Sequence, residues 1–488
     1  MQDISYFGGI LVVVAVALLV AVLSNRVSEH VQVPAPAIFV AGAATVAAAV
    51  PQIQAPSHQA VERLVSVALV IILFDGGMHI GRTRLRRALR PVVVTGTVGT
   101  VLTVAATAVA VHLVFGIEWY IAVLVATAVA PTDPAVVFSV LGKREVAEPA
   151  GTILEGESGA NDPVGIALMT SLITAGGLSL HAFAQVGVQF VIQMGVGFIV
   201  GLVGGQLLLL TMRRVALPSE GLYAIRTLAT ALLIYGAAAV AHGSGFLAVF
   251  VAGVMVGDAN APYKREIERF HGALASLAEI VAFVILGLTV DLSMLATRDV
   301  LIPGLVIGAA LVILRPLVVG ICLAGSGLRR NEKAFVLFAG LKGAVPILLG
   351  SLLLQSHIPD AHRYYGIVVL VVAFSVLVQG TLTPTVAAWL RVPMRTVEQE
   401  PWALGVRLRN EPQGVHRITV ASDSLAAGGR LDELPLDGAW VSFAVRQGSL
   451  IPVSGDTQLL PDDELLVLAQ PELREQLLDT FSRPASPA

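Results

Sequence analysis

The stretch 156-GESGANDPVG-165 lies inside a segment, Thr152 to Gly176, that is otherwise composed for lipid: TILEGESGANDPVGIALMTSLITAG. Glu157, Ser158, Asn161 and Asp162 stand near its middle. A charge at the centre of a bilayer costs at least ~3 kcal/mol, so a carboxylate there is a functional-site hypothesis by default.

The rest of the chain supports the membrane reading. Of 488 residues 56% are hydrophobic and 13% charged, and the mean hydropathy is +0.81. Long apolar runs recur, each long enough for a ~30 Å hydrocarbon core. Thirteen segments are expected, at 5–24, 34–50, 62–80, 91–114, 118–141, 152–175, 183–212, 222–241, 245–258, 272–290, 299–325, 334–354 and 364–390. With the N-terminus outside, the inward loops hold eighteen Lys and Arg and the outward loops three (Arg63, Arg298 and Arg363). That asymmetry fits the positive-inside rule and places the C-terminus in the cytoplasm. The single cysteine, Cys322, excludes an internal disulfide and a Cys-rich metal site. The first apolar run is preceded by Asp3 and no basic residue, so a cleaved signal peptide is not expected.

After about residue 396 the pattern changes to apolar–polar alternation with Gly and Pro turns, then a short helix, PELREQLLDTF. From Pro401 on there are twelve acidic and seven basic residues, a net charge of −5. We read 1–395 as the transmembrane domain, 401–484 as a small cytoplasmic α+β domain and 485–488 as a disordered tail. A domain this small is near the lower limit for folding alone, so pairing with a second copy is expected.

The sixth segment enters from the cytoplasm, and Asp162 lies ~15 Å along it, near the midplane. Ser158 and Asp162 share one stripe; Glu157 and Asn161 share the neighbouring one. Arg315, in the eleventh segment, is expected at the depth of Glu157, and we pair the two as a buried structural ion pair. Asp162 is then left without a dedicated cation, free to exchange a proton for a metal cation.

Two segments are interrupted by helix breakers. The fifth reads VATAVAPTDPAVVFSVL, with Pro131 and Pro134 around Thr132 and Asp133; the twelfth reads FAGLKGAVPILLG, with Gly340, Gly343 and Pro346 around Lys342. They run in opposite directions, the pattern of an inverted-repeat transporter with its site at the crossing of two broken helices. Freed carbonyls there can ligate a cation. Asp133 and Lys342 can balance the exposed helix ends; Asp133 is read equally as such a cap and as part of the ion site. Asp75, near a cytoplasmic end beside His79, and Glu279, about two turns into the tenth segment, are candidates for a proton path; either can also be a solvated or hydrogen-bonded carboxylate. The Arg82–Arg90 cluster reads as a topology determinant touching anionic lipid.

In order along the chain, APTDP, GESGANDPVG, RP and GLKGAVP resemble the electroneutral monovalent cation:proton antiporters of the NhaP/NHE type, over essentially all of residues 5–391. The resemblance implies that Asn161 and Asp162 carry the exchange, with Asp162 alternately binding H⁺ and K⁺ or Na⁺. It implies Ser158 and Thr132 as cation ligands and Glu157–Arg315 as the family's ion pair. The chain departs from the family at Lys342, where arginine is usual; charge is kept and bidentate geometry is lost. The stretch GGRLDELPLDGAWVSFAVRQGSLIPVSGDTQLLPDDELLVLA is similar to the regulatory RCK-C (TrkA-C) domain of potassium-conductance regulators. That likeness tilts the cation towards K⁺ and implies a homodimer with a nucleotide second messenger as a possible ligand. No cofactor, nucleic acid or metal beyond the monovalent cation is expected. Rival readings are a ligand-gated K⁺ channel, disfavoured by the lack of a TVGYG-like filter, and an intramembrane aspartyl protease using Asp133 and Asp162. The latter gives the Thr-Asp-Pro break and the Glu–Arg pair nothing to do. The expected location is the plasma membrane.

Overall fold

The computed structural model describes residues 15, 19, 22, 34–49, 57–141, 144–259, 261–356, 358–396, 414–436, 438–446 and 449–482. The chain divides into two compact units, Met1–Trp402 and Ala403–Ala488.

The first unit is helical. In chain order it contains α1 (Ala35–Ala49), α2 (His58–Val94), α3 (Thr100–Phe115), α4 (Trp119–Val129), α5 (Pro134–Leu141), β1 (Arg144–Val146), α6 (Ala150–Ala175), α7 (Leu180–Arg214), α8 (Glu220–Val240) and α9 (Gly245–Gly257). It continues with α10 (Lys264–Leu288), α11 (Leu292–Leu295), α12 (Arg298–Cys322), α13 (Arg330–Phe338), α14 (Ala344–Gln355), α15 (Ala361–Phe374), α16 (Thr381–Trp389) and β2 (Met394–Thr396). Twelve of the expected apolar segments fall on these helices; the segment at 5–24 lies, but for three positions, outside the described residues.

Among the described residues six helices are long and apolar enough to cross a membrane, or seven if the bent pair α4–α5 is one span. One of the six is the run His58–Phe115. At ~1.5 Å per residue its 58 residues cover ~87 Å, more than two hydrocarbon cores. It breaks at Gly81, whose φ of 63° is a left-handed conformation that glycine adopts without a Cβ penalty. Asp258 Oδ2 accepts the N–H of Thr83 just beyond the break.

The helical core is closed by small residues. A Cβ on Gly77 would meet the carbonyl of Phe250, and one on Gly253 the carbonyl of Phe74, so α2 and α9 touch backbone to backbone. Helix α10 starts eight residues before the apolar run it carries. Its first turns are polar and hold a Lys264–Glu268 pair at 2.8 Å, invisible to a hydropathy reading. Glu279 therefore stands ~22 Å along α10, about two turns into the apolar run.

Strands β1 and β2 pair antiparallel, Glu145 opposite Arg395. Arg395 Nη2 lies 2.5 Å from Glu145 Oε2.

The second unit holds β3 (Val415–Thr419), β4 (Ala439–Arg446), β5 (Ser449–Ile451), β6 (Glu464–Ala469) and α17 (Arg474–Phe481). The sheet order is β3-β6-β4-β5, all antiparallel. The inward residues of β6, Leu465, Val467 and Ala469, alternate with half-buried ones. They pack with Ile418, Val441, Leu477 and Phe481 into one small core. The expected tail at 485–488 lies outside the described residues.

Candidate cation and proton site

The helix breaks follow from local chemistry. Pro131 and Pro134 lack the N–H that a continuous helix needs, and proline disfavours helical conformation in the residue before it. So α4 ends at Val129, Ala130 to Asp133 lie outside the helices, and Pro134 opens α5 with a bend of 41°. In the other segment α13 ends at Phe338 and α14 starts after Gly343.

The two breaks lie against each other. The N–H of Asp133 donates to the carbonyl of Leu341 at 2.8 Å. The Asp133 carboxylate accepts from Ala135 N at 2.9 Å, and it lies against Gly343, the residue before α14. One carboxylate therefore lies at the positive N-terminal ends of both α5 and α14. Lys342, 2% exposed, sends Nζ to the carbonyl of Ala130 at 2.8 Å, at the negative C-terminal end of α4. Arg315 does the same for α13: Nη1 donates to Val336 O at 3.2 Å and Leu337 O at 2.5 Å. Its Nη2 reaches Glu157 Oε1 at 2.6 Å, and both side chains are 4% exposed. Gly340 and Gly343 let these groups approach: a Cβ on the first would fall on the Arg315 guanidinium, and one on the second on the Asp133 carboxylate.

Helix α6 grips the first break. Ser158 Oγ donates to Thr132 O at 2.6 Å, and Asn161 Nδ2 donates to Thr132 Oγ1 at 2.7 Å. Asn161 Oδ1 accepts Thr132 N at 3.3 Å. Asn161 thus joins Ser158, not Glu157 as the stripes suggested. At 3.6 residues per turn a residue three on from Ser158 falls ~60° to one side, within reach of the same partner. Asp162, 7% exposed, lies beside this constellation, with the charges of Asp133 and Lys342 acting on it in opposite senses. Its Oδ1 is buried without a hydrogen-bond partner among the described residues.

The two proton-path candidates are placed elsewhere. Asp75 pairs with His79 (Oδ2 to Nδ1, 3.3 Å). Glu279 is half-buried on α10. Among the described residues neither makes a hydrogen bond to Asp162. The sequence reading passed over Ser375 and Gln379, both buried at the second break. The available signal was two polar residues four apart in the apolar run 364–390.

The monovalent cation fits this site as substrate. Ser158 spends its proton on a carbonyl and Thr132 Oγ1 receives one from Asn161, so both hydroxyl oxygens keep lone pairs, and Asp162, four residues after Ser158, keeps an unpartnered oxygen. Hard oxygen donors around one carboxylate suit an alkali cation or a proton.

Known proteins share this arrangement of sequence. The family model described as "Sodium/hydrogen exchanger, transmembrane" matches residues 6–389, and that of the TrkA-C domain matches 415–482. The K(+)/H(+) antiporter NhaP of Alkalimonas amylolytica is 32% identical over 441 residues, covering 89% of this chain and 75% of that protein. The K(+)/H(+) antiporter NhaP2 of Shewanella baltica (strain OS223) is 32% identical over 426 residues, 86% of this chain and 73% of that one. The solved structure of the sodium proton antiporter MjNhaP1 from Methanocaldococcus jannaschii at pH 8 shares the fold, with a TM-score of 0.67 at 22% identity over 80% of this chain and 99% of that one. This chain belongs to the sodium/hydrogen exchanger family of membrane transporters, and it carries a TrkA-C domain behind the transmembrane part.

Proposed function

We propose that this chain exchanges a monovalent cation for H⁺ by alternating access, the two competing for Asp162, with K⁺ the favoured cation. The observation that carries the reading is the buried, unpartnered oxygen of Asp162, on the same helix as the Ser158 and Asn161 side chains that hold Thr132 at the first break. A carboxylate there is stable only with a proton or a cation on it, which is the condition for obligatory exchange. Ser158 and Thr132 supply ligands, and Asn161 orients Thr132. Asp133, occupied with two helix ends, acts chiefly as the cap that keeps the crossing open, and Lys342 serves the opposite end. Glu157–Arg315 is structural. Asp75 and Glu279 lie on the inward proton route.

K⁺ is favoured because the two relatives above are named as K⁺/H⁺ antiporters and because a TrkA-C domain follows the transmembrane part. The family match lends no support to a channel or a protease. We further propose residues 1–395 as the transport domain and 401–484 as the regulatory one. The N-terminus is outside and the C-terminus cytoplasmic, on the distribution of Lys and Arg. The working unit is a homodimer in anionic lipid, with the C-terminal copies paired and open to a nucleotide second messenger.

Cation-dependent H⁺ release from everted vesicles, comparing K⁺, Na⁺ and Rb⁺, tests the reading. The wild-type chain should release H⁺ without needing a membrane potential. Asp162→Asn should insert and fold but release none; cation-driven H⁺ movement in that variant would refute it.

A further inference from the structure

The first break is gripped by a serine and an amide of α6, with Asp162 four residues after Ser158. The second break is gripped from the π-helical turn Ser375–Gly380, which joins α15 to α16. Ser375 Oγ accepts the N–H of Lys342 at 3.1 Å and donates to Gln379 Oε1 at 3.0 Å. Gln379 Nε2 donates to the carbonyl of Phe338, the last residue of α13. Ser375 and Gln379 are 4% and 7% exposed. With Arg315 on Val336 and Leu337, this leaves three successive carbonyls at the end of α13 capped by side chains.

The parallel is close: Ser-x-x-x-Asp follows the first break and Ser-x-x-x-Gln the second. The difference lies in what each acid or amide can do. A carboxylate at 379 would turn an acceptor towards the Phe338 carbonyl; an amide donates to it. The π turn also widens the helix by one residue, which brings Ser375 to the N–H of Lys342 while Gln379 still reaches Phe338.

We propose that Ser375 and Gln379 are a positioning pair: they fix the second broken segment so that Lys342 reaches the Ala130 carbonyl and stands beside Asp162. The backbone of Lys342 is anchored by Ser375, and the chain four residues earlier by Gln379. With the stem of Lys342 fixed at its root, Nζ has one reachable helix end. The pair touches neither cation nor proton and acts through Lys342 alone. For its transport readout the inference rests on the antiport reading; for its thermal readout it does not.

The test uses the full chain with Gln379→Met, which keeps volume and removes both hydrogen bonds, together with Lys342→Met and the double variant. In vesicles, Gln379→Met should raise the apparent cation KM roughly fivefold to tenfold, the size of one lost buried hydrogen bond, and shift the pH profile of exchange. In detergent, the melting-temperature loss of the double variant should be smaller than the sum of the single losses, because Lys342 has less to lose once its segment is released. Additive losses overturn the proposal. So does a Gln379→Met transporter whose maximal rate falls while KM and pH profile stay at wild-type values. If the wild-type chain moves no H⁺ with any cation, the antiport reading falls and the thermal cycle alone decides the pair. If Gln379→Met does not accumulate, Ser375→Ala, which removes a single hydroxyl, takes its place in the same cycle.

Discussion

Replacing Arg315 by methionine perturbs two things that the structure separates. Arg315 neutralises Glu157 through Nη2 at 2.6 Å, and it caps α13 through Nη1 on Val336 and Leu337. Methionine fills most of the volume and supplies neither charge nor donor. Stranding a buried partner charge costs about 3–5 kcal/mol, and two buried carbonyls left unpaired add about 1 kcal/mol each. The single replacement should therefore cost about 5–7 kcal/mol, comparable to the whole stability of many domains. Glu157→Leu strands Arg315 but leaves its two carbonyl bonds intact, so it should cost only the first of these. The double variant Glu157→Leu/Arg315→Met has no stranded charge, and only the uncapped carbonyls remain, about 2 kcal/mol. Heating detergent-solubilised protein and measuring the folded fraction by fluorescence-detected size exclusion ranks the four proteins. The expected order of stability is wild type, double variant, Glu157→Leu, Arg315→Met. A double variant that loses the sum of the singles, or a Glu157→Leu protein weaker than Arg315→Met, would refute the reasoning.

Three further outcomes follow from other contacts. Gly343→Ala places a methyl on the Asp133 carboxylate; it should cost about 1–3 kcal/mol and abolish most exchange in vesicles, whereas wild-type rates would show that the crossing has room. In the C-terminal unit Asp463 is fully buried; burial pushes its carboxyl up, but Arg446 at 2.7 Å and the N–H of Leu460 at 2.8 Å outweigh it and hold the carboxyl below its usual range. A depressed folded value means stability present above the unfolded pKa of about 3.9 and lost as pH falls through the folded one. Asp463→Asn should thus destabilise this unit at neutral pH, and its melting difference from wild type should shrink below about pH 4. Finally, a chain cut after Trp402 keeps the β1–β2 ladder and the Glu145–Arg395 contact, while a cut before Met394 removes both. The longer truncation product should still exchange cation for H⁺ with altered pH or ligand dependence, and a stable, inserted but inactive product would make the C-terminal unit part of the transport mechanism.

Much of this protein is written locally. Hydropathy marked the helices because burial in lipid demands apolar residues along a whole segment, and Pro131, Pro134, Gly340 and Gly343 marked both breaks because their backbone chemistry acts on the residues beside them. Alternation in 464–469 marked a strand for the same local reason. Glu157 and Arg315 could be matched by depth alone, since a lone buried charge must find its opposite at its own level. What the sequence left open were the partners of groups that have several candidates at one depth. Asn161 lies between two helical stripes, and only packing decided that it turns to Thr132. That Asp133 meets the second broken segment, its N–H on Leu341 and its carboxylate against Gly343, about 200 residues away, was decided only by the fold. Lys342 reaches Ala130 and Gln379 reaches Phe338 for the same reason. Periodicity states which face a side chain occupies, but which helix stands opposite that face depends on how all the helices pack together, and that is settled only in the tertiary structure.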